Sequence, residues 1–243
     1  MINIGLCGST GKMGKMIIER IGSFDSCKIS STFSRQNNDL DEFCRNCQVI
    51  IDFSNGELLE KLLKSAIKYK NKLVIGTTGF ESKVSDLMHS ASKDIAILYS
   101  ANMSLGINLL AILTEKAAKI LDKNYDIEIL ESSPRMKLDI PSGTALMLGK
   151  TLAEARNIDS KKDVIHNRHG KRLSGEIGIA AIRGGHVYGE HEIMFLGDNE
   201  AISCKHQALN RESFADGAIK AAIWIASKET GFYSMRDVLS QLG

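Results

Sequence analysis

The chain has 243 residues, 43% of them hydrophobic and 25% charged, with a formal net charge of +2 at neutral pH. That length holds one large domain or two small ones with ample core, and a charge so near zero, without a long Lys/Arg run, excludes a general polyanion surface, so no nucleic-acid partner is expected. The N-terminus enters a strand pattern at once, with no basic leader, and no apolar run approaches the roughly 18 residues of a membrane span, so a cytoplasmic protein without membrane partners is expected.

The five cysteines, Cys7, Cys27, Cys44, Cys47 and Cys204, make no disulfide framework. Cys44 and Cys47 have metal-ligand spacing, but no second pair completes a zinc site, so no metal is expected. The pair reads either as a redox couple or as small loop residues before a strand.

Ile2 to Cys7 reads as a short buried strand. It runs into Gly8, Ser9, Thr10, Gly11, Lys12, Met13 and Gly14, and Met13, Met16, Ile17 and Ile21 then recur at helical intervals. A glycine triplet alone is weak evidence. Between a strand and an amphipathic helix it reads as a dinucleotide site, with Gly8 for the tight turn, Gly11 for close approach to pyrophosphate and Gly14 for helix packing. Lys28 to Phe33 is the second strand. About twenty residues past the last glycine, NAD-selective sites carry an acidic residue for the adenosine ribose. Here stand Ser34 and Arg35. With no carboxylate to repel a 2′-phosphate and an arginine to pair with it, NADPH is expected over NADH. Read without a cofactor, Arg35 is a solvated loop cation.

Val49 to Phe53 is a continuous apolar strand of the kind a parallel sheet buries on both faces. Leu58, Leu59, Leu62, Leu63, Ala66 and Ile67 mark the helix after it. Lys72 to Gly79 is another buried strand, ending in Gly76, Thr77 and Thr78, a shape suited to lining a cofactor's ribose or nicotinamide. A short helix pattern (82–91) and a strand (95–98) follow, and Ser100, Ala101, Asn102 and Met103 end that strand. Five β-elements alternating with helices make an α/β, doubly wound, Rossmann-like domain.

After Met103 the pattern changes. A long helix (104–121) leads to an alternating strand (125–130). The loop beyond it holds the chain's two prolines, Pro134 and Pro141, with Arg135, Lys137 and Asp139 crowded between them. Ser142 is a plausible N-cap for a helix running from Ala145 to Ala155. Such a helix start offers backbone N–H groups to an anion, and Gly143 lets the anion approach closely. The same residues also suit an ordinary strand–loop–helix connection. Beyond a polar loop (159–174), three strand-like runs (176–183, 187–195 and 201–209) are joined by Gly184-Gly185 and Gly197-Asp198. Hairpin turns there predict antiparallel pairing of successive strands in an α+β domain with an open sheet. Two last helices (214–228 and 235–242) are available to cover the first domain. His186 and His191, an odd number of residues apart, would face opposite sides of one strand. With His166 and His169 in the polar loop, structural or solvated histidines are expected.

Six stretches carry a family resemblance: Gly8 to Gly14, Val74 to Phe80, Ala101-Asn102, Lys137-Leu138-Asp139-Ile140-Pro141-Ser142-Gly143-Thr144, Gly189-Glu190-His191 and Met235 to Val238. In order along nearly the whole chain, they resemble dihydrodipicolinate reductase, the 4-hydroxy-tetrahydrodipicolinate reductase of the diaminopimelate–lysine pathway. The resemblance implies a dinucleotide domain (1–103 and 213–243) and a substrate domain (104–212) whose open mixed sheet assembles a homotetramer. It implies NADPH, with NADH as the alternative cofactor, held by Gly8, Ser9, Thr10, Gly11, Lys12, Met13, Ser34, Arg35, Gly76, Thr77, Thr78, Ser100, Ala101, Asn102 and Met103. Lys137 is the implied proton donor, and Gly143 and Thr144 the implied binders of a carboxylate of the small dicarboxylate substrate.

The family motif usually reads Glu-x-His-His-x-His-Lys. Here Ser133, Pro134 and Met136 replace its histidines, while Lys137 and the Pro-Ser-Gly-Thr run remain. Three accounts stand side by side. Lys137 suffices alone; or Ser133 or a water relays the proton, with Pro134 at the substrate-contacting position; or the chain is a weakened or inactive member, or a reductase of another small dianionic imine. A smaller departure is Asn55, where many relatives carry a basic residue.

Overall fold

The computed structural model describes residues 1–34, 39–166 and 168–241. They fall into two units, Met1–Leu105 with Arg211–Gly243, and Gly106–Asn210.

The first unit is built on a six-stranded parallel sheet in the order β11-β5-β4-β3-β1-β2. Its strands are β1 (Ile2–Cys7), β2 (Cys27–Phe33), β3 (Val49–Asp52), β4 (Lys72–Ile75), β5 (Ala96–Tyr99) and β11 (Gly231–Tyr233). Strands β3 and β4 are apolar and buried along almost their whole length because helices cover both faces. On one face α1 (Lys12–Arg20) and α8 (Glu212–Ile225) bury Ile17, Ala218, Ile219, Ala222 and Ile225 against Ile4, Leu6, Ile51 and Leu98. On the other, α2 (Leu40–Arg45), α3 (Gly56–Tyr69) and α4 (Ser82–Ala91) bury Phe43, Leu59, Leu62, Leu63, Val84 and Met88 against Ile50, Leu73, Ile75 and Ile97. Two ion-pair contacts tie the covering helices together: Arg20 meets Asp216 at 2.8 Å and Glu212 at 3.3 Å.

Two elements here lie outside the sequence expectation. Helix α2 carries Cys44, read as a loop residue, while Cys47 stands in the short connection before β3; both thiols are buried among Phe43 and its neighbours. Strand β11 is three residues long, too short for an alternation signal, and is drawn into the sheet by pairing with β5.

The second unit has a five-stranded mixed sheet in the order β10-β9-β6-β8-β7. Its strands are β6 (Asp126–Ser133), β7 (Val164–His166), β8 (Ile177–Arg183), β9 (Glu190–Leu196) and β10 (Ala201–Gln207). One face packs on α5 (Leu105–Ile120) and α6 (Gly143–Arg156), burying Ile127, Ile129, Ile177, Ile179, Ile193 and Phe195 beneath Ile107, Leu110, Leu148 and Leu152. The opposite face carries Leu130, Ala180, Ile182, Met194 and Leu196, half-buried or exposed.

Here the expected hairpin between the first two of the three strand-like runs is corrected. Strands β8 and β9 do not pair; β6 lies between them, parallel to β8 and antiparallel to β9. A Gly-Gly turn sets only a local reversal, and the fully alternating β6, with four buried side chains on one face, takes the centre of the sheet. Only β9 and β10 form the expected antiparallel neighbours. The polar loop also contains a short helix α7 (Ser160–Asp163) and the edge strand β7, parallel to β8. The last helix is α9 (Met235–Leu239), opened by a Ser234–Asp237 capping box.

Candidate active site

In the first unit, the expected cofactor residues gather at the carboxyl ends of β1, β2, β4 and β5. Gly8 has φ +82°, and a Cβ there would lie 2.4 Å from the Phe53 carbonyl oxygen. A Cβ on Gly14 would lie 2.3 Å from the Gly8 carbonyl oxygen, so the glycines let α1 start directly on the turn. Gly11 is the N-cap of α1 and provides no side-chain cap, leaving that helix end to an outside acceptor. Thr10, Gly11 and Lys12 are exposed, while Ser9 and Met13 are half-buried. Ser9 Oγ donates to the Phe33 carbonyl oxygen at 3.4 Å, joining the turn to the end of β2. There Ser34 lines a cavity of about 410 Å³ with Phe33, Leu40, Asn55, Glu57, Leu58 and Lys61. Arg35 lies outside the described residues.

Thr77 points inward. Its hydroxyl donates to Asp52 at 2.6 Å and accepts the Ser54 amide at 2.9 Å, which leaves its backbone and the exposed Thr78 on the outer side. Asp52 is fully buried, and burial pushes its carboxyl above the usual range against the pull of Ser54 and Thr77. Ser100 Oγ donates to the Asn102 carbonyl oxygen at 2.7 Å, and Asn102 Oδ1 accepts the Ser104 amide at 2.9 Å, shaping the turn after β5. Met103 is buried in the core and Ala101 is exposed. Asn55 caps α3 by accepting the Leu58 amide at 3.0 Å, which gives this departure from the family a structural occupation.

In the second unit the loop between β6 and α6 is organised by Glu131, a motif residue to which the sequence assigns no role. It is fully buried. Its carboxylate accepts from Arg183 Nη2 at 2.8 Å, the Ser142 amide at 3.0 Å and Ser133 Oγ at 3.0 Å. Burial alone would raise this carboxyl, but the Arg183, Ser142 and Ser133 bonds outweigh it and hold the group below its ordinary value. Ser133 therefore has its hydroxyl hydrogen committed to Glu131 and is buried. Pro134 is half-buried, and the turn it opens is closed by the Lys137 amide on its carbonyl at 3.0 Å.

Lys137 Nζ meets Asp139 Oδ1 at 2.9 Å. Burial would raise the Asp139 carboxyl, but Lys137 and the amides of Asp139 and Gly143 outweigh it and lower it. Asp139 thus touches both the ammonium and the first amide of α6. Ser142 is the N-cap, its Oγ accepting the Ala145 amide at 3.1 Å. Gly143 is exposed, nothing lies near where its Cβ would be, and Thr144 is half-buried. Together these residues set an ammonium and a carboxylate against the start of a helix.

Two contributors escape sequence reasoning. Arg183 ends β8 and reaches both Glu131 and the Asp139 carbonyl oxygen, the latter at 2.6 Å. His191 on β9, read as structural, stands directly opposite Glu131 in the strand register. Among the described residues, no cluster of three or more His, Cys, Asp or Glu side chains is placed to hold a metal ion, and no helix is long and apolar enough to cross a membrane.

Comparison with known proteins agrees in both units. Residues 2–103 match the model of the dihydrodipicolinate reductase N-terminus, and residues 106–239 that of its C-terminus. A protein of Rickettsia bellii named 4-hydroxy-tetrahydrodipicolinate reductase is 56% identical over 100% of this chain and 96% of its own. One of Campylobacter jejuni with the same name is 43% identical over 98% and 99%. Among solved structures, a dipicolinate-bound dihydrodipicolinate reductase from a Paenisporosarcina species is similar in fold, with a TM-score of 0.71 and 20% identity, covering 96% of this chain and 97% of that one. With both halves matched by the family's models, and relatives of that name aligned end to end, the chain belongs to the dihydrodipicolinate reductase family.

Proposed function

We propose that this cytoplasmic protein reduces 4-hydroxy-tetrahydrodipicolinate to tetrahydrodipicolinate in diaminopimelate and lysine biosynthesis, with NADPH preferred and NADH as the alternative. The observation that carries the reading is the Lys137–Asp139 pair set against the Ser142-capped start of α6, retained in a chain that aligns end to end with reductases of that name.

The uncapped start of α1 and the glycine cradle fit a dinucleotide pyrophosphate. A bound nicotinamide supplies the hydride. In this reading the turns after β2, β4 and β5 hold the rest of the cofactor, and Ser34 with Arg35 selects its 2′-phosphate. In the second unit the Gly143 and Thr144 amides take one substrate carboxylate. Loss of water from the hydroxylated ring first leaves a conjugated imine; Lys137 draws charge toward the imine nitrogen as hydride arrives at ring carbon 4, then protonates the neighbouring carbon. Asp139 keeps that ammonium aimed until substrate replaces it. Ser133 braces Glu131 and takes no proton, so Lys137 carries the acid chemistry without the motif histidines.

The open face of the second sheet, with Leu130, Ala180, Ile182 and Leu196, supports assembly as a homotetramer. The activity is tested with substrate made freshly from pyruvate and aspartate semialdehyde, following NADPH loss. Turnover within about tenfold of the median enzyme rate of about 10 s⁻¹ is expected, and NADPH binding without turnover overturns the pathway assignment. Lys137→Ala should lower kcat by about 10²- to 10⁴-fold with NADPH affinity unchanged.

A further inference from the structure

The family's motif histidines are missing, yet one imidazole reaches the same corner from another strand. His191 is 5% exposed, and its Nε2 lies 3.4 Å from Ser142 Oγ. That hydroxyl oxygen already accepts the Ala145 amide at 3.1 Å, and its hydrogen and second lone pair both remain for the imidazole, which meets it as donor or acceptor according to its tautomer. The start of α6 is then held from three strands: by Glu131 of β6 on the Ser142 amide, by Arg183 of β8 on the Asp139 carbonyl, and by His191 of β9 on the Ser142 hydroxyl. We propose that His191 is a positioning residue for substrate, aiming the Gly143 and Thr144 amides at the carboxylate by fixing the Ser142 cap.

The surroundings keep the ring neutral. Burial lowers its pKa to about 4; Glu131 opposes this from β6, while His206 on β10 and the cations Lys137 and Arg183 add to it. His206 pairs with His191 directly across the strands. His191 Nδ1 has no hydrogen-bond partner among the described residues, so Ser142 is the contact through which the ring acts. The proposal rests on the reductase reading, because it presumes that the start of α6 binds the substrate carboxylate.

The test compares wild type, H191F, H191Q, S142A and the double variant S142A/H191F. It reads kcat and KM across pH, affinity for dipicolinate, and NADPH affinity by fluorescence. H191F should raise KM and the dipicolinate Kd by about five- to tenfold, the latter equal to about 1.4 kcal/mol, with kcat within about twofold. H191Q, whose amide can still meet Ser142, should recover most of the loss. S142A, which also removes the Ala145 cap, should lose at least as much as H191F, and the double variant should be no worse than S142A, as expected of residues acting through one contact. A fall in kcat at unchanged KM, with a shifted pH profile, overturns positioning in favour of a proton-transfer role. Additive losses overturn the route through Ser142. Equal loss of NADPH binding in H191F and H191Q reduces His191 to a folding role. If wild type neither turns over nor binds dipicolinate, the reductase reading itself fails, whatever the variants do.

Discussion

At the scale of single residues, charge and burial decide which groups can act. His191 has a folded-state pKa of about 4 against its ordinary 6.5, so between those values the unfolded chain binds the extra proton. Stability therefore rises with pH across that window and is lost as pH falls from 6.5 toward 4, by up to about 3 kcal/mol at about 1.4 kcal/mol per unit. Glu131 and Asp139, both held below their ordinary values, lose their contribution lower still, as pH falls through their depressed pKa values. Asp52 works the other way, since its raised carboxyl keeps its proton in the folded state and disfavours folding as pH rises above the ordinary carboxylate range. Thermal melts of H191F should accordingly show a flatter dependence between pH 6.5 and 4 than wild type. Cofactor choice also belongs at this scale. On the proposed pairing of Arg35 with the 2′-phosphate, Arg35→Ala should raise the KM for NADPH by about tenfold and leave that for NADH within about twofold.

At the scale of elements, the β6–α6 connection is held less by its two prolines than by one buried carboxylate. Glu131 joins the end of β6 to the end of β8 through Arg183 and to the start of α6 through the Ser142 amide. Glu131→Ala removes the anion and leaves Arg183, 12% exposed, without its counter-ion. Breaking a buried pair in this way costs about 3 to 5 kcal/mol, so the melting temperature should fall by on the order of 10 °C. Activity should fall with it, because the helix start proposed to meet substrate loses this anchor. Glu131→Gln, which keeps the shape, should lose less.

At the scale of the whole molecule, the second sheet has helices on one face only. Its other face sets Leu130 beside Ala180 on β8, with the exposed Ile182 and Leu196 further along it. A partly apolar sheet face of this kind suits burial against another copy. On the proposed assembly through this face, Ile182→Glu, 49% exposed in the single chain, should shift sedimentation to smaller species without changing the circular dichroism of the fold. Unchanged sedimentation would remove this face from the proposed assembly interface.

Much of this protein is local in origin and therefore readable in the chain itself. The glycine turn after β1 is legible because φ +82° at Gly8 and the close packing at Gly14 admit almost nothing else. The Ser142 cap is legible because a short hydroxyl before an Ala/Leu-rich run is a local signal. The parallel sheet follows from apolar strands alternating with amphipathic helices, and the family from Lys137 to Thr144 standing in order. What tertiary structure alone decided is pairing across distance. The insertion of β6 between β8 and β9, the use of Gly231 to Tyr233 as a sixth strand, and the convergence of Glu131, Arg183 and His191 on one helix start each join residues far apart in the chain. No propensity or spacing encodes those meetings, because they are set by which apolar faces must be buried together, and side chains such as His191 acquire their environment only once that burial is complete.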